Sequence, residues 1–147
     1  MPDPLDPRPR AAAAIFGRPV LPRLAGFPVA FFTAALATDL AYAGTANLQW
    51  QYFSIWLITA GLVAGGLVGA AAIVDRLGDR ARWRSGAVGR VLGVTVWVVS
   101  FLNAMVHSRD GWTAVVPDGL ILSAIVVLLL AVRSWIAGPV VRAGATA

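Results

Sequence analysis

Four polar side chains in otherwise apolar stretches of the chain are the residues best placed to do chemistry. Asp39 lies about five residues, or ~7 Å of helix, from the end of the apolar run 27–44. Ser100, Asn103 and His107 fall at i, i+3 and i+7, which is one face of a helix. Polar groups at membrane depth often mark a proton-handling or ligand site, but many only join helices through hydrogen bonds of ~0.6 kcal/mol each. We therefore expect a polar intramembrane cluster of these four residues, and we favour the structural role.

Two residues of opposite charge lie at the ends of two apolar runs, on the side of the membrane away from the polar cluster. Asp75 follows the run 50–74, and Arg90 lies near the start of the run 86–106. If the two helices are neighbours, these side chains meet as an interfacial ion pair, a role that we favour over substrate binding.

Ser123, in the run 119–137, is a further polar residue in an apolar run and lies somewhat deeper than Asp39.

No pattern of residues in the chain indicates catalysis, a metal site or a cofactor. The sequence has no cysteine, no paired carboxylates at catalytic spacing and no phosphate-binding glycine loop. Its single histidine excludes haem ligation by two histidines. Met105 cannot complete a haem site with His107, because it lies two residues away on a different face of the same helix. We expect no enzyme activity, no metal and no cofactor.

The composition indicates an integral membrane protein. Of 147 residues, 59% are hydrophobic and 13% are charged, whereas soluble domains typically carry about 25% charged residues. We predict an all-α fold, a four-helix transmembrane bundle. Its spans are four apolar runs of membrane-crossing length, at 27–44, 50–74, 86–106 and 119–137. The lipid bilayer is the expected partner, and nucleic-acid binding is excluded because the basic residues flank the spans.

Glycines recur at helical spacing in two of the spans. In membranes small residues let helices approach closely, and the partner helix can belong to the same chain or to another. The sequence therefore predicts two helix-packing faces, made of Gly61, Gly65, Gly69, Gly89 and Gly93.

The distribution of arginine predicts the orientation of the bundle. All twelve basic residues are arginine, and eleven fall on the side that holds both termini and the loop 76–85, leaving only Arg109 opposite. By the positive-inside rule both termini are cytoplasmic. The tails are then 1–26, a disordered segment rich in proline and arginine, and 138–147, around the four-span domain 27–137. Ala41 and Ala43 resemble a signal-peptidase site, but the long proline-rich lead favours a retained first span.

Short motifs in order along the four spans resemble a known family. They are FPVA at 27–30, Asp39-Leu40, the small-residue span that ends in Asp75, and Phe101-Leu102-Asn103. Over roughly 21–140 the chain is similar to the bacterial four-span membrane family catalogued as domain of unknown function 2231. The resemblance implies a bacterial cytoplasmic (inner) membrane protein and a first span that is not cleaved.

The chain departs from the resembling family in its histidines. Family members typically carry histidines at the positions that correspond here to Leu21, Gly26 and Gly89. A haem-like function that those histidines suggest is therefore not expected in this chain. The favoured function is a non-catalytic structural or accessory membrane component that associates with itself or another membrane protein through its glycine-lined faces. The alternatives are a b-type haem-like redox protein and, more weakly, transport of a proton or small solute by Asp39.

Overall fold

The computed structural model describes residues 14–15, 18–19, 24–77, 86–109 and 115–144, and it describes side chains over 24–74, 86–109 and 115–136. Four long helices account for most of these residues: α1 (Gly26–Thr45), α2 (Leu48–Leu77), α3 (Ala87–His107) and α4 (Leu120–Gly144). One π-helical turn, Val115–Gly119, leads into α4. Ahead of the bundle, β1 (Ala14–Ile15) and β2 (Arg18–Pro19) form a two-residue antiparallel pair.

The four helices have the length and composition of membrane spans. The apolar segments are Gly26–Thr45, Leu48–Val74, Ala87–His107 and Val115–Ile136, of 20, 27, 21 and 22 residues. At 1.5 Å per residue even the shortest is about 30 Å long, which matches the hydrocarbon core of a bilayer. The predicted four-helix transmembrane bundle is confirmed. Its orientation in the membrane stays a prediction.

A tight turn joins α1 to α2. Ala46 adopts a left-handed conformation (φ 54°), and its backbone N–H donates to the Tyr42 carbonyl at 2.8 Å, which ends α1. The Asn47 side-chain oxygen then accepts from the Gln49 backbone N–H at 3.0 Å. An asparagine in this position satisfies a free N–H of the first helical turn, so α2 begins at once.

The helices pack as a ring, in which α1 contacts α2, α2 contacts α3, α3 contacts α4 and α4 contacts α1. The centre of the ring is filled by buried apolar side chains from all four helices: Phe32, Ala35, Ile58, Val96, Val126 and Leu130. Most other large apolar side chains point outward, as Trp56, Val91 and Leu128 do. An apolar exterior of this kind needs lipid rather than water as its solvent.

Glycines on α2 create the closest contact between helices. A Cβ atom on Gly61 would lie 2.5 Å from the Phe32 ring of α1, so only glycine admits the ring at this depth. One turn further, the Trp97 ring of α3 lies over Gly65, and its Nε1–H donates to the Leu62 carbonyl at 3.1 Å. Both neighbours of α2 therefore depend on the missing side chains.

The helix bounds differ from the predicted spans mainly in α2 and α4, which both extend further. α2 begins at Leu48 and continues to Leu77, and α4 continues to Gly144 into the segment predicted as a tail. The predicted disorder of 1–26 and the charged loop 76–85 fall largely outside the described residues. Within the former, the structure describes the short β1–β2 pair.

Candidate functional site

The carboxyl group of Asp39 is the centre of the polar core. Asp39 lies on α1, six residues before its last residue, and its side chain is fully buried. In this position the carboxyl group faces the middle of the ring, toward the other three helices.

Each of the other three helices contributes a hydrogen-bonding side chain to Asp39. From α2, the Ser54 hydroxyl donates to Asp39 Oδ1. From α4, the Ser123 hydroxyl donates to Asp39 Oδ2 at 2.5 Å. From α3, His107 Nε2 lies 2.9 Å from Oδ1. Both carboxyl oxygens are thus used, and every partner comes from a different helix.

A second set of contacts fixes these partners in place. His107 Nδ1 lies 3.0 Å from the Asn103 backbone carbonyl, one turn earlier on α3. The Asn103 side-chain Nδ2 donates to the Ser123 hydroxyl at 2.8 Å. Because Ser123 accepts from Asn103, its single proton is left for Asp39. The result is a network, here called the Asp39 network, of Asp39, Ser54, Asn103, His107 and Ser123.

The network forms because its residues lie at similar distances from the same end of the bundle. Ser54 is six residues after the start of α2, just as Asp39 is six residues before the end of α1. His107 is the last residue of α3, and Ser123 follows Val115, the start of the last helical segment, by eight residues. Above them the π-helical turn packs against α1 and α3, and Val115 is fully buried.

Two polar atoms beside the network have no hydrogen-bond partner. They are Ser100 Oγ and Asn103 Oδ1, and both belong to buried residues on the same face of α3. An unpaired buried polar atom costs free energy, in the range of about 1–3 kcal/mol. The core thus retains unused hydrogen-bonding capacity, one turn deeper than His107.

The structure brings three of the four residues of the predicted cluster into one network. Asp39, Asn103 and His107 meet there, whereas Ser100 lies on the same face of α3 but makes no side-chain hydrogen bond. Ser123, expected to lie deeper than Asp39, makes a direct hydrogen bond to it.

Sequence reasoning missed Ser54. The depth of Ser54 in its span could have indicated it. Ser54 lies six residues after the start of α2 and Asp39 lies six residues before the end of α1, so the short turn between the two helices places them at the same depth.

The predicted helix-packing glycines have different surroundings. A Cβ atom on Gly61 or Gly65 would contact α1 or α3, and one on Gly93 would lie 3.6 Å from the Arg133 guanidinium of α4. For Gly69 and Gly89, no atom of the residues that the structure describes lies within 4 Å of that position. The predicted ion pair between Asp75 and Arg90 stays a prediction, because the side chain of Asp75 lies outside the described residues.

The groove found on the surface does not lead to the Asp39 network. It has a volume of about 450 Å³ and lies between α1 and α2, lined by apolar side chains such as Phe27, Phe31 and Trp56. In a bilayer this groove faces the lipid acyl chains. Among the described residues no group of three or more His, Asp, Glu or Cys side chains is arranged to hold a metal ion.

The chemistry open to the Asp39 network is proton binding and hydrogen bonding. Coordination of His107 to haem iron would break one of the two contacts that its ring nitrogens make with oxygen atoms. Asp39 and His107 are both buried in the core of the bundle.

Four membrane-length helices with an apolar exterior and polar side chains kept to the core define an integral membrane protein. A family model described as predicted membrane protein (DUF2231) matches residues 17–145, and the chain therefore belongs to that family. The resemblance predicted from the sequence is confirmed. No curated protein and no solved structure matches the chain.

Proposed function

We propose that this protein is a non-catalytic structural or accessory component of a bacterial cytoplasmic membrane. The observation that supports this most is the closure of the Asp39 network, in which both carboxyl oxygens are occupied by side chains of the chain itself. Here the polar groups hold four helices at fixed positions relative to one another.

The same geometry suits a rigid membrane scaffold. Hydrogen bonds between transmembrane helices contribute ~0.6 kcal/mol each on average, so several of them converging on one carboxyl group select one arrangement of the ring. The tight helix contacts at Gly61 and Gly65, further along α2, also favour one arrangement of the ring. The hydrogen bonds and the glycine contacts both reduce movement between helices, which favours a role in assembly over a transport cycle.

The surface proposed for association is the part of α2 around Gly69. α2 is the least buried of the four spans, with 11% of its most apolar stretch buried, against 28% for α1. Gly61 and Gly65 are covered from within the chain, whereas Gly69 is exposed, and no described residue lies within 4 Å of a Cβ atom placed on it. A helix of a second copy or of another membrane protein can approach closely here.

Cysteine crosslinking in native membranes tests this association. The chain has no cysteine, so Ile73→Cys introduces the only thiol, at a 53% exposed position one turn from Gly69 on the same face of α2, and leaves Gly69 in place. The matched control is Leu128→Cys on α4, which is 64% exposed. A thiol-thiol crosslinker reports a second copy, and a thiol-linked photoreactive group reports a different protein. We expect crosslinking at residue 73 well above that at residue 128.

The opposite result would overturn the association. If neither cysteine formed crosslinks above background, and native mass spectrometry in mild detergent found only monomer, the glycine face would have no partner. Protection of the same cysteines from a membrane-impermeant thiol reagent provides a separate check that each variant is inserted.

The second candidate function is movement of a proton or small solute through Asp39. Its specific support is the buried contact between Asp39 and His107, since ionisable side chains inside membranes often form proton relays. Asp39→Asn should abolish a measurable flux in proteoliposomes if this function holds. If the protein is a scaffold, vesicles with wild-type protein and with the variant should leak protons at the same rate.

The remaining alternative, a b-type haem protein, is tested by a reduced-minus-oxidised difference spectrum of the purified protein. We expect no haem band, because the one histidine is engaged with Asp39 and Asn103.

A further inference from the structure

We propose that Asp39 and His107 form a proton-binding site in the membrane core, which holds one exchangeable proton between Asp39 Oδ1 and His107 Nε2. This proton is additional to the one on His107 Nδ1. The proposal is independent of whether the protein associates with a partner, since it concerns only the hydrogen-bond directions within the Asp39 network.

The first step concerns His107 Nδ1. This nitrogen lies 3.0 Å from the backbone carbonyl oxygen of Asn103. A carbonyl oxygen only accepts hydrogen bonds, so the contact is favourable only if Nδ1 carries a proton. In a neutral imidazole with a proton on Nδ1, the other nitrogen, Nε2, has a lone pair and is an acceptor.

The second step concerns His107 Nε2. It faces Asp39 Oδ1 at 2.9 Å, and an ionised carboxylate is also only an acceptor. A lone pair facing a carboxylate oxygen at this distance is repulsive. The contact is favourable only if a proton lies between the two atoms, either on the carboxylic acid or on a doubly protonated imidazolium. Both forms contain the same number of protons, and both leave the pair with no net charge.

The neighbouring hydroxyls do not supply this proton. Ser123 has one proton and donates it to Asp39 Oδ2, on the other side of the carboxyl group, while its oxygen accepts from Asn103. Ser54 has one proton and donates it to Oδ1, while its oxygen lies 3.4 Å from Nε2. Neither hydroxyl places a hydrogen between Oδ1 and Nε2.

The shared proton also balances the charge of the pair. Without it the pair would carry a net negative charge on two fully buried side chains. The other ionisable side chains described at this end of the bundle are Tyr42 on α1, which is buried, and Tyr52 on α2, Arg109 after α3 and Asp118 before α4, which are exposed. Among the described residues, the ionisable side chain that contacts the Asp39 carboxyl group is His107.

Solid-state NMR on wild-type protein in lipid bilayers tests the proposal without any substitution. His107 is the only histidine, so ¹³C,¹⁵N-histidine labelling gives a single imidazole ring, in which Nδ1 is identified by its bond to Cγ and Nε2 by its bond to Cδ2. Carboxyl-¹³C aspartate labelling, with Asp39→Asn to identify the signal of Asp39, reports its protonation. We expect a protonated Nδ1 at neutral pH, together with either a protonated Nε2 or a protonated Asp39 carboxyl group.

Two outcomes would overturn the proposal. One is an unprotonated Nε2 together with an ionised Asp39, and the other is an unprotonated Nδ1. Ser100→Ala is the matched control, because this hydroxyl lies on the same face of α3 but bonds to neither group, and the Nδ1, Nε2 and Asp39 carboxyl signals should be unchanged.

Discussion

Replacing Asp39 by alanine removes the one group that all four helices share. Ser54, Ser123 and His107 each lose the acceptor or partner that they have on α1. At the average of ~0.6 kcal/mol for each hydrogen bond between transmembrane helices, three lost contacts lower the free energy of unfolding by about 2 kcal/mol. At the largest measured contribution of ~1.7 kcal/mol each, the loss would be about 5 kcal/mol.

The matched control for this substitution is Thr38→Ala. Thr38 precedes Asp39 on α1 and is partly buried, but its hydroxyl donates only to the Ala34 and Ala35 carbonyls of the same helix. Both variants delete a polar group from the same turn, and only Asp39→Ala breaks contacts between helices. Equilibrium unfolding in mixed micelles, followed by tryptophan fluorescence, measures the two losses. The reasoning is refuted if Asp39→Ala costs no more than Thr38→Ala.

Three further substitutions test other contacts in the same unfolding assay. Gly61→Ala should destabilise the bundle by about 1–3 kcal/mol, because the new Cβ atom would lie 2.5 Å from the buried ring of Phe32 and force it to move. Trp97→Phe should cost about 0.5–1.5 kcal/mol through loss of the indole hydrogen bond to the Leu62 carbonyl. Ser100→Ala should leave stability unchanged or slightly raised, because it removes a buried hydroxyl without a partner.

Each of these substitutions has a control on the same chain. Gly69→Ala adds a methyl group where no described residue lies within 4 Å, so it should not lower the stability of the isolated bundle. Trp56→Phe alters a ring that is 74% exposed and should cost less than Trp97→Phe. Ser123→Ala deletes a hydroxyl that bonds to both Asp39 and Asn103, so it should be clearly worse than Ser100→Ala. If any control were as damaging as its counterpart, the contact assigned to that counterpart would be wrong.

The architecture could be predicted because the bilayer imposes it. Apolar runs long enough to cross lipid must be helical, and their number and order can be counted directly in the sequence. The depth of Asp39 and the i, i+3, i+7 spacing on α3 were enough to place Asp39, Asn103 and His107 near one another.

The rest of the site depends on how each helix is rotated about its axis, which the sequence does not reveal. Nearly every position of α2 is apolar or small, so periodicity does not show which face Ser54 lies on. For the same reason, the glycines of α2 looked like one continuous face, whereas the structure covers Gly61 and Gly65 and leaves Gly69 open. Serine in a helix often bonds its own backbone, as Ser134 does, so its presence alone is a weak signal.

The contact between α1 and α3 at the centre of the Asp39 network is the most direct test of the whole account. In lipid bilayers, ¹³C–¹⁵N distance measurements between the carboxyl carbon of Asp39 and Nε2 of His107 involve a single histidine, and comparison with Asp39→Ala shows which of the seven aspartates is coupled to it. The account predicts a short distance, consistent with the 2.9 Å separation of Oδ1 and Nε2, and loss of that signal in Asp39→Ala. A folded protein in which the two labels show no dipolar coupling would contradict it.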